Sequence, residues 1–341
     1  MAAAPSATLE HEKVESECPQ RCCIVRLEDV SSCSSRQDVE DAFDAPGVST
    51  ELLKEWARLE QQALEPTGRP STQMSSQVRD TTHRFLQHLT HFAGLGMETW
   101  FEIVTLLDVY LLKAKDGNAI SSLPSTCAAL VMLAKKNDCS IVEVGASKFV
   151  PHVAQMARFL QKQGIAGVDS DITEERLLCA EEEVLEALGW RLFYPTVESW
   201  TSMFCTRFNI LTENEFQGSV SWIWQRSLII LRLILTKQSL SIEVPPQTIA
   251  AGVVGLGMLA AKLLPGEALR PPRISSADWA NLYIEGPSQG EMPECVPGMD
   301  AGRHLFDAIE IAMGCALSQV QEACFLTATV IRDALADKHA V

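Results

Sequence analysis

The chain has 341 residues and a formal net charge of −16, with 28 Lys and Arg against 44 Asp and Glu. Such an acidic chain repels phosphate backbones unless it concentrates its cations, and no window gathers Lys and Arg, so the composition argues against nucleic-acid binding. With 47 % hydrophobic and 21 % charged residues it has the balance of a chain that buries a sizeable core, and at roughly 150 residues per domain its length suits about two domains.

Residues 1–48 carry a net −6 and are rich in Ser, Glu and Asp, with little periodicity. The reading there is a disordered N-terminal segment, too polar to bury a core. Its opening, Met-Ala-Ala-Ala-Pro, lacks the charged and apolar regions of a secretory leader. Eleven cysteines, an odd number, point to reduced thiols in an intracellular protein. Four of them cluster at Cys18, Cys22, Cys23 and Cys33, but CPQRCC followed by a distant Cys33 lacks the paired spacing of a zinc site. No metal or other cofactor is expected.

From Ser49 the pattern changes. Ser49-Thr50 can cap a helix carrying Leu52, Leu53, Trp56, Leu59 and Ala63 at helical spacing, and Pro66-Thr67-Gly68 stops it. A polar linker leads to helices over Val78–Ala93, Glu98–Ala114, Leu123–Lys136, Ser147–Gln163 and Ile172–Leu188. The third of these is apolar nearly all round, which marks a helix surrounded by the others. After Gly189 and Pro195-Thr196 comes a further helix, Val197–Phe208. The rest repeats the theme: Ser219–Thr236, a second surrounded helix over Gln247–Leu264, a Pro- and Gly-rich stretch with a short helix near Ser275–Tyr283, then Leu305–Ala316 and Ser318–Asp337.

No alternating strand run appears. The expected fold is all-α: two tandem five-helix bundles preceded by an extra N-terminal helix, divided as 1–48, 49–208 and 209–341. Thr248–Leu264 lies at the lower limit of a membrane span and holds Lys262. Its flanks, Pro245-Pro246 and Pro265-Gly266, punctuate a buried helix instead, so no membrane is expected. Gly252, Gly255 and Gly257 do not form a phosphate-binding fingerprint and suit close helix packing.

Enzyme motifs are missing: no GxxxxGK[ST], GxSxG, HExxH or kinase signature set occurs. His83, His88 and His91 read as surface imidazoles of an amphipathic helix, without the companion ligands of a metal site. Glu181, Glu182 and Glu183 are consecutive on a helix and point in different directions. Two charges are harder to place. Asp108 sits inside the apolar LLDVYL, where a carboxylate needs a partner, and Arg79 on the preceding helix is a candidate. Lys136 ends the most apolar helix, where the macrodipole favours a cation and the side chain can reach outward.

The ordered set VRDTTHRFLQHL, TLLDVYL, STCAALVMLAKK and AEEEVLEALGWRLFYPT resembles the cyclin box, and LLKEWARLE resembles the helix that precedes the box in many cyclins. The resemblance covers about residues 50–208. VPPQTIAAGVVGLGMLAAK resembles the third helix of a degenerate second cyclin fold. It implies that Arg79 and Asp108 form the family's buried ion pair, and that Lys136 and Glu181 contact the mobile helix of a cyclin-dependent serine/threonine kinase. The chain is then a non-enzymatic activator in a heterodimer with that kinase, acting in cell-cycle control in the nucleus, the cytoplasm or both. Departures are Val109 for the usual Arg, Phe85 for Trp, Val78, Thr81 and Thr82 in the first helix, and Pro124 where a polar residue helps to bind docking peptides. About 16 extra residues lie within 137–172. The departures in the first helix and the insertion favour the alternative, a cyclin-fold adaptor for transcription or other proteins that activates no kinase.

Overall fold

The computed structural model describes residues 49–64, 74–114, 122–137, 146–163, 172–237, 244–261, 263–264 and 301–339. The N-terminal segment with its four cysteines, the stretch around 275–283 and the parts of the insertion at 138–145 and 164–171 lie outside them. Among the described residues there are eleven helices and no strand: α1 Thr50–Leu64, α2 Ser76–Phe92, α3 Met97–Lys113, α4 Leu123–Asn137, α5 Ala146–Lys162, α6 Glu174–Ala187, α7 Val197–Leu211, α8 Gln217–Lys237, α9 Pro246–Ala260, α10 Ala301–Met313 and α11 Leu317–His339. The starts follow from local chemistry. Ser75 accepts the Val78 amide at 3.3 Å, Thr173 accepts that of Arg176 at 3.2 Å, and Thr196 and Ser199 form a reciprocal capping box.

Two helices organise the core. Every residue of α4 from Leu123 to Ala134 is buried, because α2, α3, α5 and α6 pack around it. In the second bundle α9 plays the same part among α7, α8 and α11, with Ile249–Met258 wholly buried. The helix ends at Ala260, short of the expected Leu264. The Leu263 amide turns back to the Met258 carbonyl at 3.0 Å, and a residue before proline, as Leu264 is, disfavours helical backbone. Helix α7, grouped with residues 49–208 on sequence, packs mainly against α8, α9 and α10.

Small residues on α9 permit its closest contact. A Cβ at Gly252 would fall against the Thr327 hydroxyl and within 2.5 Å of the Ala323 carbonyl oxygen, and one at Gly257 would meet Ile223. Backbone cannot swing aside as a side-chain tip can. Gly252→Ala is therefore expected to lower stability by about 1–3 kcal/mol, despite the better helix propensity of alanine, as read from the denaturant midpoint.

Helix α1 lies across the junction of the bundles. Leu53 packs beside Gly314, in the turn between α10 and α11. Trp56 meets Trp200 of α7 edge-on at 5.3 Å, and Gln62 accepts a hydrogen bond from Arg191 at 3.0 Å. Arg207 of α7 donates to the Ala312 and Ile311 carbonyls, each at 3.0 Å, closing the end of α10.

Candidate functional site

The innermost charges are Arg79 and Asp108. Arg79 leaves α2 toward α3 and makes a two-pronged bond to the carboxylate, Nη1 to Oδ1 at 2.7 Å and Nη2 to Oδ2 at 3.0 Å. Their side chains are 1 % and 3 % exposed. The remaining Nε–H donates to the Leu235 carbonyl in the last turn of α8 at 3.0 Å. One guanidinium thus ties two helices of the first bundle to one of the second. The fork geometry requires arginine, since lysine presents a point charge.

His83, one turn further along α2, is fully buried, contrary to its reading as a surface imidazole. It lies edge-on to Trp100 at 5.9 Å. Burial, and then the charge of Arg79, depress its pKa to about 3, with Asp108 opposing, so the ring is neutral. The sequence misled because α2 has neighbours on more sides than one bundle supplies: α3, α4, α5 and, across the junction, α8. His88 and His91 are exposed, as expected.

At the surface, Lys136 at the end of α4 and Glu181 on α6 lie side by side, Nζ to Oε1 at 2.5 Å. The lysine side chain is 37 % exposed and the carboxylate 12 %, so solvent reaches the pair from one side. Glu182 and Glu183 face solvent elsewhere. The ammonium has further donors than the one Glu181 occupies, and the carboxylate further lone pairs. The pair is therefore pre-positioned, and an incoming helix end or amide can join it without first ordering either chain.

Beside it runs the connector from α6 to α7. Helix α6 closes with the Gly189 amide on the Glu186 carbonyl at 3.1 Å and the Trp190 amide on the Leu185 carbonyl at 2.8 Å. Gly189 and Trp190 are both left-handed, φ +61° and +62°. For tryptophan that conformation costs about 1–2 kcal/mol. The strain holds the indole outward at 69 % exposure, with Phe193 at 57 %. Phe193, Leu192 and Tyr194 line a shallow recess with Leu106 and Glu102 of α3 and with Asn137, the residue after Lys136. Exposed aromatics held by a fixed backbone are features of binding surfaces. The sequence reading did not single out these two exposed residues; two bulky aromatics in the connector LGWRLFYPT were the available signal.

Carboxylates border the recess. Glu102 is raised by burial and by Glu98, and Glu198, in the first turn of α7, is pushed up to about 7 by burial, Glu98 and Glu102. No cluster of three or more His, Cys, Asp or Glu among the described residues is arranged to hold a metal. No helix among them is long and apolar enough to cross a membrane. Buried Cys205 and Cys324 have thiols pushed up to about 12 by burial, which leaves them unreactive.

No family model and no curated protein matches this sequence. Among solved structures, the chain is similar to the X-ray structure of a viral cyclin from herpesvirus saimiri. The likeness has 15 % identity over 82 % of this chain and 96 % of that one, with a TM-score of 0.46.

Proposed function

We propose that this protein is a cyclin-like regulatory subunit that binds a cyclin-dependent serine/threonine kinase and holds it in the active arrangement. The observation that carries the reading is the half-exposed Lys136–Glu181 pair, with Asn137, the residue after Lys136, sharing a shallow recess with Phe193 of the connector that also carries the exposed Trp190. The order of the charged residues along the chain, which resembles the cyclin box, supplies the kind of partner. No residue of this face needs to do chemistry. A kinase whose mobile helix has two positions shifts toward the one that makes more contacts with a stiff surface, so the effect is a difference in binding free energy between two states. That position assembles the ion pair between lysine and helix glutamate that phosphoryl transfer requires. Lys136 and Glu181 meet carbonyls and amides of the mobile helix through charge-assisted bonds, while Trp190 and Phe193 bury apolar area against it. Action in cell-cycle control, in the nucleus or cytoplasm, belongs to the same reading.

The test is purification of the tagged full-length chain from cells that make it, with identification of bound kinases. A kinase recovered with the wild type, and about tenfold less with Lys136→Ala/Glu181→Ala at unchanged helix content, is the expected result. Transcription proteins without a kinase would favour the adaptor reading.

A further inference from the structure

Glu60, on the strap helix α1, is a buried carboxyl group that neither charged pair uses; it is 6 % exposed. Both hydrogen bonds it receives come from the second bundle: Trp200 Nε1 of α7 at 2.8 Å, and the Gln247 backbone amide in the first turn of α9 at 3.1 Å. Both end on the same oxygen, Oε2. The carboxyl closes one side of a small cavity whose other walls include Thr105, Asp108, Tyr194, Pro195 and Pro246.

The groups facing Glu60 can be taken element by element. From α3 come Asp108, whose charge is matched by Arg79, and Lys113, whose ammonium stands over the Tyr194 ring at 5.7 Å rather than on the carboxyl. From the connector comes the Tyr194 phenol, itself raised by burial. Helices α7 and α9 bring the neutral indole and amide, together with the positive end of α9. No cation from these elements pairs with it. Oε2 accepts both donors, an arrangement open to either protonation state, and it is the burial of the carboxyl without a cation from these elements that disfavours its ionised form.

We infer that α1 is a proton-controlled strap across the two bundles: with Glu60 protonated it is held fast against α7 and α9, and with Glu60 ionised it is released more readily. The inference rests on these contacts and not on the kinase reading. Burial raises the Glu60 pKa from 4.5 to about 7, against the lowering effect of the Gln247 and Trp200 bonds. The sign follows by linkage. A group whose folded pKa is raised adds stability that is fully present below the unfolded value, is lost as pH climbs from 4.5 toward 7, and changes little above. The detached helix loses the same preference, so strap opening increases over that window. Because Gln62 on α1 bonds Arg191, the neighbour of Trp190, release also frees the connector that carries the exposed indole.

Amide hydrogen exchange of the full chain tests this at residues 50–64, read as protection factors so that intrinsic exchange is divided out. Between pH 5.5 and 7.5 the wild type is expected to lose roughly twentyfold in protection there, and Glu60→Gln, which copies the protonated acid, to stay near the acid value at both pH values. A flat wild-type profile, or a Glu60→Gln profile as steep as the wild type's, overturns the inference. Should Glu60→Gln fail to fold, the carboxyl carbon shift of Glu60 in the wild type, followed by NMR, decides it: a midpoint above 6 supports the strap, and one below that value sinks it.

Discussion

Asp108→Ala is expected to lower the stability of the folded chain by about 3–5 kcal/mol, because it strands a charge in the interior. Arg79 is 1 % exposed, and once the carboxylate is gone its two Nη groups are left in the interior with no charged partner. The surviving bond from Nε to the Leu235 carbonyl is to a neutral acceptor and cannot balance the ion. The loss has a distinctive pattern. Since Arg79 reaches α8, the variant loosens the junction of the bundles as well as the first bundle, so protection in the last turn of α8 falls along with that in α3. Removing both charges together, as Arg79→Met with Asp108→Leu, recovers a large part of the loss, since no ion is left unpaired. Chemical denaturation of the wild type and the two variants checks this. Equal midpoints for Asp108→Ala and the wild type would show that the pair contributes nothing net.

Much of the fold was legible because the strongest local rules agree here. Apolar spacing and capping residues set the helices within a few positions, as with Ser49 before α1, whose hydroxyl accepts the Leu52 amide at 3.2 Å. The all-round apolar character of α4 and α9 marked both as central. Asp108 was legible for the opposite reason: a carboxylate in LLDVYL breaks the local pattern and so demands a cation. Other features were hidden because they depend on what the second bundle lays over the first. By spacing Glu60 lies on the same face of α1 as Leu53, Trp56 and Ala63, but helical spacing does not reveal that Trp200 and the start of α9 supply its partners. His83 is enclosed on α2 with Trp100 of α3 edge-on to it, a contact between helices that spacing within α2 does not give. The side-by-side placement of Lys136 and Glu181 rested on a resemblance, since 45 residues separate them and no periodicity relates two helices. Trp190 and Phe193 are the reverse case. Composition favours burying both, and it is the left-handed backbone at Gly189 and Trp190 that turns the connector outward.

That backbone also allows binding to be separated from stability. If the chain binds a kinase as proposed, Trp190→Gly is expected to reduce affinity for it by about thirtyfold or more, the loss typical of a tryptophan anchor worth roughly 2 kcal/mol or more, while the melting temperature stays level or rises slightly. At φ +62° glycine relieves the strain that tryptophan bears, and the extra freedom it gives the unfolded chain, roughly 0.5–1 kcal/mol, offsets most of that gain. With Trp190 69 % exposed, little packing is lost in the free protein. Most surface-to-glycine changes weaken a fold, so a variant that melts no lower yet fails to hold the kinase assigns the indole to the interface. Titration calorimetry against the kinase and a thermal melt of the free chain give the two numbers. If affinity survives, Trp190 is outside the contact and the face must be redrawn around Lys136 and Glu181. If the melt falls by many degrees, the outward indole is serving the fold, and the strain at residue 190 has another cause than partner binding.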